Sequence, residues 1–127
     1  MRKNNFYHKI VQSRADAIVA LIKMKEDTAR IEREIALLAL DTIYALRTKS
    51  ISTKEGCRCF VMIQYALTRA MSAKLSEEAR DLLNEGILLE EAGTPYGSDI
   101  ALMLRLASGI LERDRRLYVA KAKVLVG

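Results

Sequence analysis

Few residues in this 127-residue chain could do acid–base or metal chemistry. His8 is its one imidazole, and Arg2 precedes it with five residues between. Imidazole is the side chain that titrates near neutrality, so His8 is the natural candidate for proton transfer; the plainer reading is an exposed histidine on the first turn of a helix. Carboxylate-bound metals in helical bundles use a Glu-x-x-His pair, and the sequence has none. Glu90-Glu91 lacks the further acids that a magnesium-dependent nucleotide hydrolase helix carries. Cys57 and Cys59 are two positions apart, which on a helix points them to different sides and prevents a mutual disulfide. Without a second cysteine pair a zinc site is not expected, and both read as buried thiols. No catalytic residue, cofactor or metal is therefore expected, and the chain reads as a non-enzyme.

What remains is cationic, and helices must position it. Arg2 to Ser52 contains neither Gly nor Pro; the first Gly is Gly56 and the sole Pro is Pro95. At about 100° per residue, Phe6, Ile10, Ala17, Leu21 and Met24 share one face. Val11, Ala15, Ile18, Val19 and Ile22 share the opposite one. Lys3, Arg14 and Lys25 form a stripe between them on one side, and Arg2, Lys9 and Lys23 on the other. Two apolar faces predict a helix packed on both sides. Its cations either snorkel to water or meet phosphates. One unbroken helix over 4–48 would span about 68 Å, against a diameter of roughly 36 Å for a compact domain of this length. The stretch therefore projects as an arm, bends, or breaks. Glu26-Asp27-Thr28 is the expected break, with Asp27 capping the next helix.

In that second helix Ile31, Ile35, Leu38, Thr42 and Leu46 make an apolar stripe, and Arg30, Glu32, Arg33 and Glu34 fall on the remaining surface. Ser52-Thr53-Lys54-Glu55 is a capping box that opens a third helix over 53–73, where Gly56 and Ala70 permit close backbone approach. Ser76-Glu77-Glu78 opens a fourth, with acids where the helix dipole favours them; it stops at Gly93 with Pro95 behind. Ser98 caps a fifth, with Asp99 in its first turn and Gly109 offering a further close contact. Residues 112–116 are charged almost all round, as a solvated turn or a ligand contact. The expectation is an all-α bundle of about five helices in one domain, 1–127, with a helical arm over 1–50 and a bundle over 51–127.

Composition narrows the class. Half the residues are apolar and 29% charged, which describes a folded chain. No uncharged run approaches a membrane span, and the polar residues after Met1-Arg2-Lys3 do not read as a secretory signal. The place of action is expected to be intracellular or within a particle assembled there. Only five amides, with many Arg, Lys and Glu, hint at a thermophilic source. The net charge of +5 is unevenly spread: residues 1–74 carry net +7, 75–99 net −6 and 100–127 net +4. Such separation gives the surface opposite poles, one suited to a polyanion, the other to solvent or to a basic surface on a neighbouring copy. The two Phe and five Tyr are scattered along the chain, which offers no evident stacking platform and favours backbone contact without base reading.

Two families share traits with this sequence. The Arg2–His8 spacing is similar to the active motif of helical HEPN-type ribonucleases, whose motif lies on a late bundle helix. The small, helical, basic, amide-poor whole resembles the coat proteins of filamentous or rod-shaped archaeal viruses. That resemblance implies dimerisation with an identical or related subunit, stacking into a filament, and duplex DNA wrapped by the first helices. The leading expectation is a self-assembling structural protein that packages nucleic acid, double-stranded DNA first, by phosphate contacts from Arg2, Lys3, Lys9, Arg14, Lys23, Lys25, Arg30 and Arg33. A soluble helical adaptor, or small subunit of a ribonucleoprotein complex, stands second. A ribonuclease using His8 stands third.

Overall fold

The protein is all-helical in the computed structural model, which describes residues 5–91, 94 and 97–126, and the backbone alone of residues 5, 117–122 and 124–126. The gap-free N-terminal stretch folds as a hairpin, α1 (Asn5–Lys23) and α2 (Thr28–Arg47). Its break falls where the sequence places it. The Glu26 N–H returns to the Leu21 carbonyl at 3.0 Å and Lys25 adopts φ 55°, so a left-handed residue ends α1 as glycine more often does. Asp27 then caps α2 by accepting from the Ala29 N–H. Of the alternatives open to this stretch, arm or turn, it takes the turn, and both helices lie against the bundle.

The capping box is present as expected: Ser52 Oγ accepts from the Glu55 N–H at 3.1 Å and the Glu55 carboxylate accepts from the Ser52 N–H at 3.1 Å. It opens α3 (Thr53–Ala66). The expected continuation to residue 73 does not occur. Leu67 turns extended and Thr68 caps a separate short helix, α4 (Arg69–Lys74), by accepting from the Met71 N–H. A threonine hydroxyl competes for first-turn amides better than it serves a helix interior, and that competition wins at Thr68. α5 (Glu77–Ile87) opens on Ser76 as expected and tightens into a 3-10 turn over Leu88–Glu91. The expected stop at Gly93 and Pro95 lies outside the described residues. The last helix, α6 (Ile100–Val126), is capped by Asp99 and not by Ser98: the Leu102 N–H donates to the Asp99 carboxylate at 3.0 Å. Ser98 instead directs its hydroxyl to the Met103 sulfur at 3.2 Å, so the carboxylate one position later is the group that accepts from the first turn.

α2 is the central element. It packs on α1, α3, α5 and α6, while α5 also lies against α3 and α6. One core joins both halves of the chain: Val11, Ala15, Ile18 and Ile22 of α1, Ile31, Ile35, Leu38 and Ile43 of α2, Phe60 and Ile63 of α3, Leu82 and Leu83 of α5, and Met103, Ala107 and Ile110 of α6. Burying each large side chain contributes about 1.5–3 kcal/mol. Two glycines meet this core closely. A Cβ on Gly56 would touch Thr42, and one on Gly86 would enter the Phe60 ring, whereas Gly109 faces open space. The close contact expected at Gly109 is therefore absent, and Ala70 is exposed.

One expectation about α1 is corrected. Its two apolar faces do not both pack. Val11, Ala15, Ile18 and Ile22 are buried, while Phe6 is 64% and Met24 69% exposed, with Ala17 open beside them. Among the described residues α2 and α3 make the extensive contacts with α1, and two neighbours on one side cannot cover a helix all round. Among the described residues no helix is long and apolar enough to cross a membrane.

Candidate functional site

The cations expected on one surface divide by what holds them. Arg14 reaches across the hairpin from α1 and donates to Asp41 at 2.7 Å and Glu34 at 3.1 Å. Its side chain is 28% exposed, so it is a strut between α1 and α2. Arg33 lies near Glu34 and, at 3.7 Å, near Asp114 of α6. Arg30 pairs with Glu26 one turn back at 3.3 Å. Arg2 and Lys3 lie outside the described residues. Lys9, Lys23 and Lys25 are exposed and carry no carboxylate partner among the described residues.

Glu32 departs most from expectation. Read from sequence as a surface acid, it is buried, 8% exposed. It accepts from the Ser76 N–H at 2.8 Å and Ser76 Oγ at 2.6 Å, and from Arg113 at 3.0 Å. Arg113 also pairs with Glu78. One buried carboxylate of α2 thus holds the start of α5 and the charged turn of α6, and its lone pairs are matched as a buried anion requires. The charged run 112–116 is accordingly internal wiring in part: Arg113 serves Glu32, Asp114 serves Arg33, and Glu112 binds Arg115 at 2.9 Å and Arg116 at 3.3 Å.

With these arginines neutralised, the free positive charge gathers elsewhere. Lys23 and Lys25 at the α1–α2 turn and Lys74 at the end of α4 line one open groove of about 610 Å³, with Thr28, Thr68 and Met71. Glu26 is its single acid and is occupied by Arg30. Lys74 was not among the residues singled out from the sequence. It joins the groove because the break at Thr68 creates α4 and sets it beside the hairpin turn, and the missed Thr68 cap was the available signal.

His8 stands exposed on the first turn of α1, with Nδ1 2.8 Å from the Glu55 carboxylate. That carboxylate sits below the ordinary range, first because the Ser52 N–H donates to it and further because of the nearby imidazole. Val11, Gln12, Arg58 and Cys59 surround the pair. Both cysteines are free and buried, and burial pushes the Cys59 thiol up to about 11. Among the described residues no group of three or more His, Cys, Asp or Glu could hold a metal ion.

The aromatics, scattered in sequence, are not all scattered in space. Phe6 and Tyr7 meet edge to face with ring centres 5.3 Å apart. Tyr7 and Tyr44, 37 positions apart, lie 5.0 Å centre to centre with their hydroxyls 3.5 Å apart. The hairpin makes this cluster by bringing the start of α1 to the end of α2. No protein-family model matches this chain, and neither a curated protein nor a solved structure does.

Proposed function

We propose that this chain is a structural protein that binds nucleic acid through phosphate contacts without reading sequence, and that copies of it assemble to package that polyanion, in the manner of a coat or nucleocapsid. The observation that supports this best is the groove where Lys23, Lys25 and Lys74 converge with no carboxylate among the described residues left to neutralise them. Lys9 adds a further free cation on α1. Dispersed ammonium groups neutralise phosphates of any sequence, because each acts as a point charge with rotatable donors. Arg14, Arg30 and Arg33 already have partners, so the reading rests on lysines. Lys25 strengthens it: a non-glycine residue at positive φ is strained, and strain retained at a turn fits a side chain needed there. The net-negative segment 75–99, with Glu77, Asp81, Glu90 and Glu91 exposed, faces away from the polyanion in this reading. The uncovered face of α1 meets a neighbouring copy.

The test is equilibrium binding of a random-sequence DNA duplex across a salt series. Affinity should fall steeply with salt, by a slope of about 0.9 per phosphate contact. Lys23→Glu/Lys25→Glu/Lys74→Glu should abolish binding, while Arg14→Gln should lower stability and leave the slope intact. Binding indifferent to salt, or unchanged in the triple variant, would refute the proposal. Electron microscopy of native material with and without nuclease tests assembly, since packaging predicts nuclease-resistant filaments.

The uncovered α1 face also favours a second reading, a helical adaptor that docks a protein partner there. An adaptor would form discrete particles and ignore DNA. A ribonuclease using His8 would lose turnover in His8→Ala while keeping its fold.

A further inference from the structure

We propose that Phe6 and Tyr44 form a stacking platform for an unpaired nucleobase, flanked by Lys9 and Arg47 as phosphate contacts; this rests on the nucleic-acid reading above and adds single strands to its ligands. The rings are placed for it. Phe6 is 64% and Tyr44 51% exposed, and both touch Tyr7, which is half-buried between them. Exposed rings held by packing against a third ring are pre-oriented, so little side-chain freedom is lost when a base lies on them.

The charges around the rings point to the kind of ligand. Lys9 follows Phe6 by about one helical turn and shares an open groove with it, together with Ile10, Ser13, Ala17, Arg14 and Glu34. Glu34, the acid of that groove, is bound by Arg14. Arg47 follows Tyr44 by three positions, which places neighbours on one helix surface, and it is exposed with no carboxylate partner among the described residues. A purely apolar partner would gain nothing from two free cations at the rim. A single strand offers both what the rings take and what the cations take, a π face and a phosphate on each nucleotide. Inside a duplex the base faces are occupied by their neighbours, so the platform selects unpaired nucleotides.

The experiment compares a fluorescein-labelled oligothymidylate with a duplex of equal length, using the full chain at fixed salt. Phe6→Leu/Tyr44→Leu keeps apolar bulk and removes both ring faces; circular dichroism checks that helix content is retained. Single-strand affinity should fall at least about fivefold per ring lost, with duplex affinity unchanged within twofold. Phe6→Tyr and Tyr44→Phe should preserve it. The chain has no Trp, so tyrosine emission is directly visible. Its quenching by oligothymidylate should shrink in Tyr44→Phe without loss of affinity. Equal loss on both probes, or no loss on the single strand, overturns the platform while leaving the lysine groove standing if Lys23→Glu/Lys25→Glu/Lys74→Glu still abolishes duplex binding. Failure of the wild-type chain to bind either probe overturns both.

Discussion

Two interior helix glycines should respond oppositely to the same substitution. At Gly86 an added Cβ would lie 2.5 Å from Cδ2 of Phe60, and closer still to Cγ and Cδ1. Phe60 is fully buried, and its ring cannot swing away as the tip of a lysine could. It must move roughly 1 Å or more within a core packed as densely as an organic crystal. Overpacking of this kind costs about 1–3 kcal/mol, and the severity here argues for the upper end. Alanine's better helix propensity returns about 1 kcal/mol. The net is a loss of about 2 kcal/mol, or a Tm lower by roughly 8 °C at about 4 °C per kcal/mol for a chain of this size. At Gly109, exposed with nothing within 4 Å, only the propensity term acts, so Gly109→Ala should gain about 1 kcal/mol and roughly 4 °C. Thermal and urea unfolding of both variants measure the contrast. Phe60→Leu should cost less in the Gly86→Ala background than in wild type, because it makes the room the methyl needs. A Gly86→Ala protein as stable as wild type would refute the packing described between α3 and α5.

Other outcomes follow from the same geometry. Glu32→Gln should cost roughly 1–3 kcal/mol, since Arg113 and the start of α5 lose their charged acceptor; denaturant midpoints measure it. Glu55 has its folded pKa lowered chiefly by the Ser52 N–H, so its stabilising effect is complete above the unfolded value of about 4.5 and is lost as pH falls below it through the folded value. Glu55→Gln should therefore flatten the acid limb of a stability–pH curve and change its shape little above pH 6. Neither thiol should react with Ellman's reagent in the native protein at pH 8, and both should do so after unfolding. Lys25→Gly should raise stability by about 1 kcal/mol, by relieving the left-handed lysine, while weakening duplex binding.

The all-helical class and the hairpin break were legible because they depend on local chemistry: no Gly or Pro before residue 56, Asp27 poised to cap, and reciprocal Ser52 and Glu55. The α3–α4 break was missed because Thr68 lies within an apolar periodicity that continues to Met71, and period alone does not reveal a cap. Charge was the least legible property. A sequence shows Arg14 and Lys25 as equal cations, yet Asp41 and Glu34 consume one and no described residue consumes the other. That difference depends on residues 20 to 27 positions away. The aromatic cluster was hidden for the same reason, since Tyr7, beside Phe6, meets Tyr44 only through the hairpin. The uncovered face of α1 looked like a second packed face because apolarity states what a side chain avoids, not which neighbour will supply the cover.

The central place of α2 also constrains how the protein is made. Synthesis runs from the N-terminus, so α2 emerges early, and α1 and then α3 can settle on it in turn. The side that Met103, Ala107 and Ile110 will close stays open until α6 (Ile100–Val126), the last helix, has been added. Through that interval the nascent polypeptide carries a finished hairpin with an apolar flank facing the surrounding water. A ribosome-bound fragment ending before residue 100 should accordingly be sticky and protease-sensitive, and should acquire resistance abruptly once α6 clears the exit tunnel.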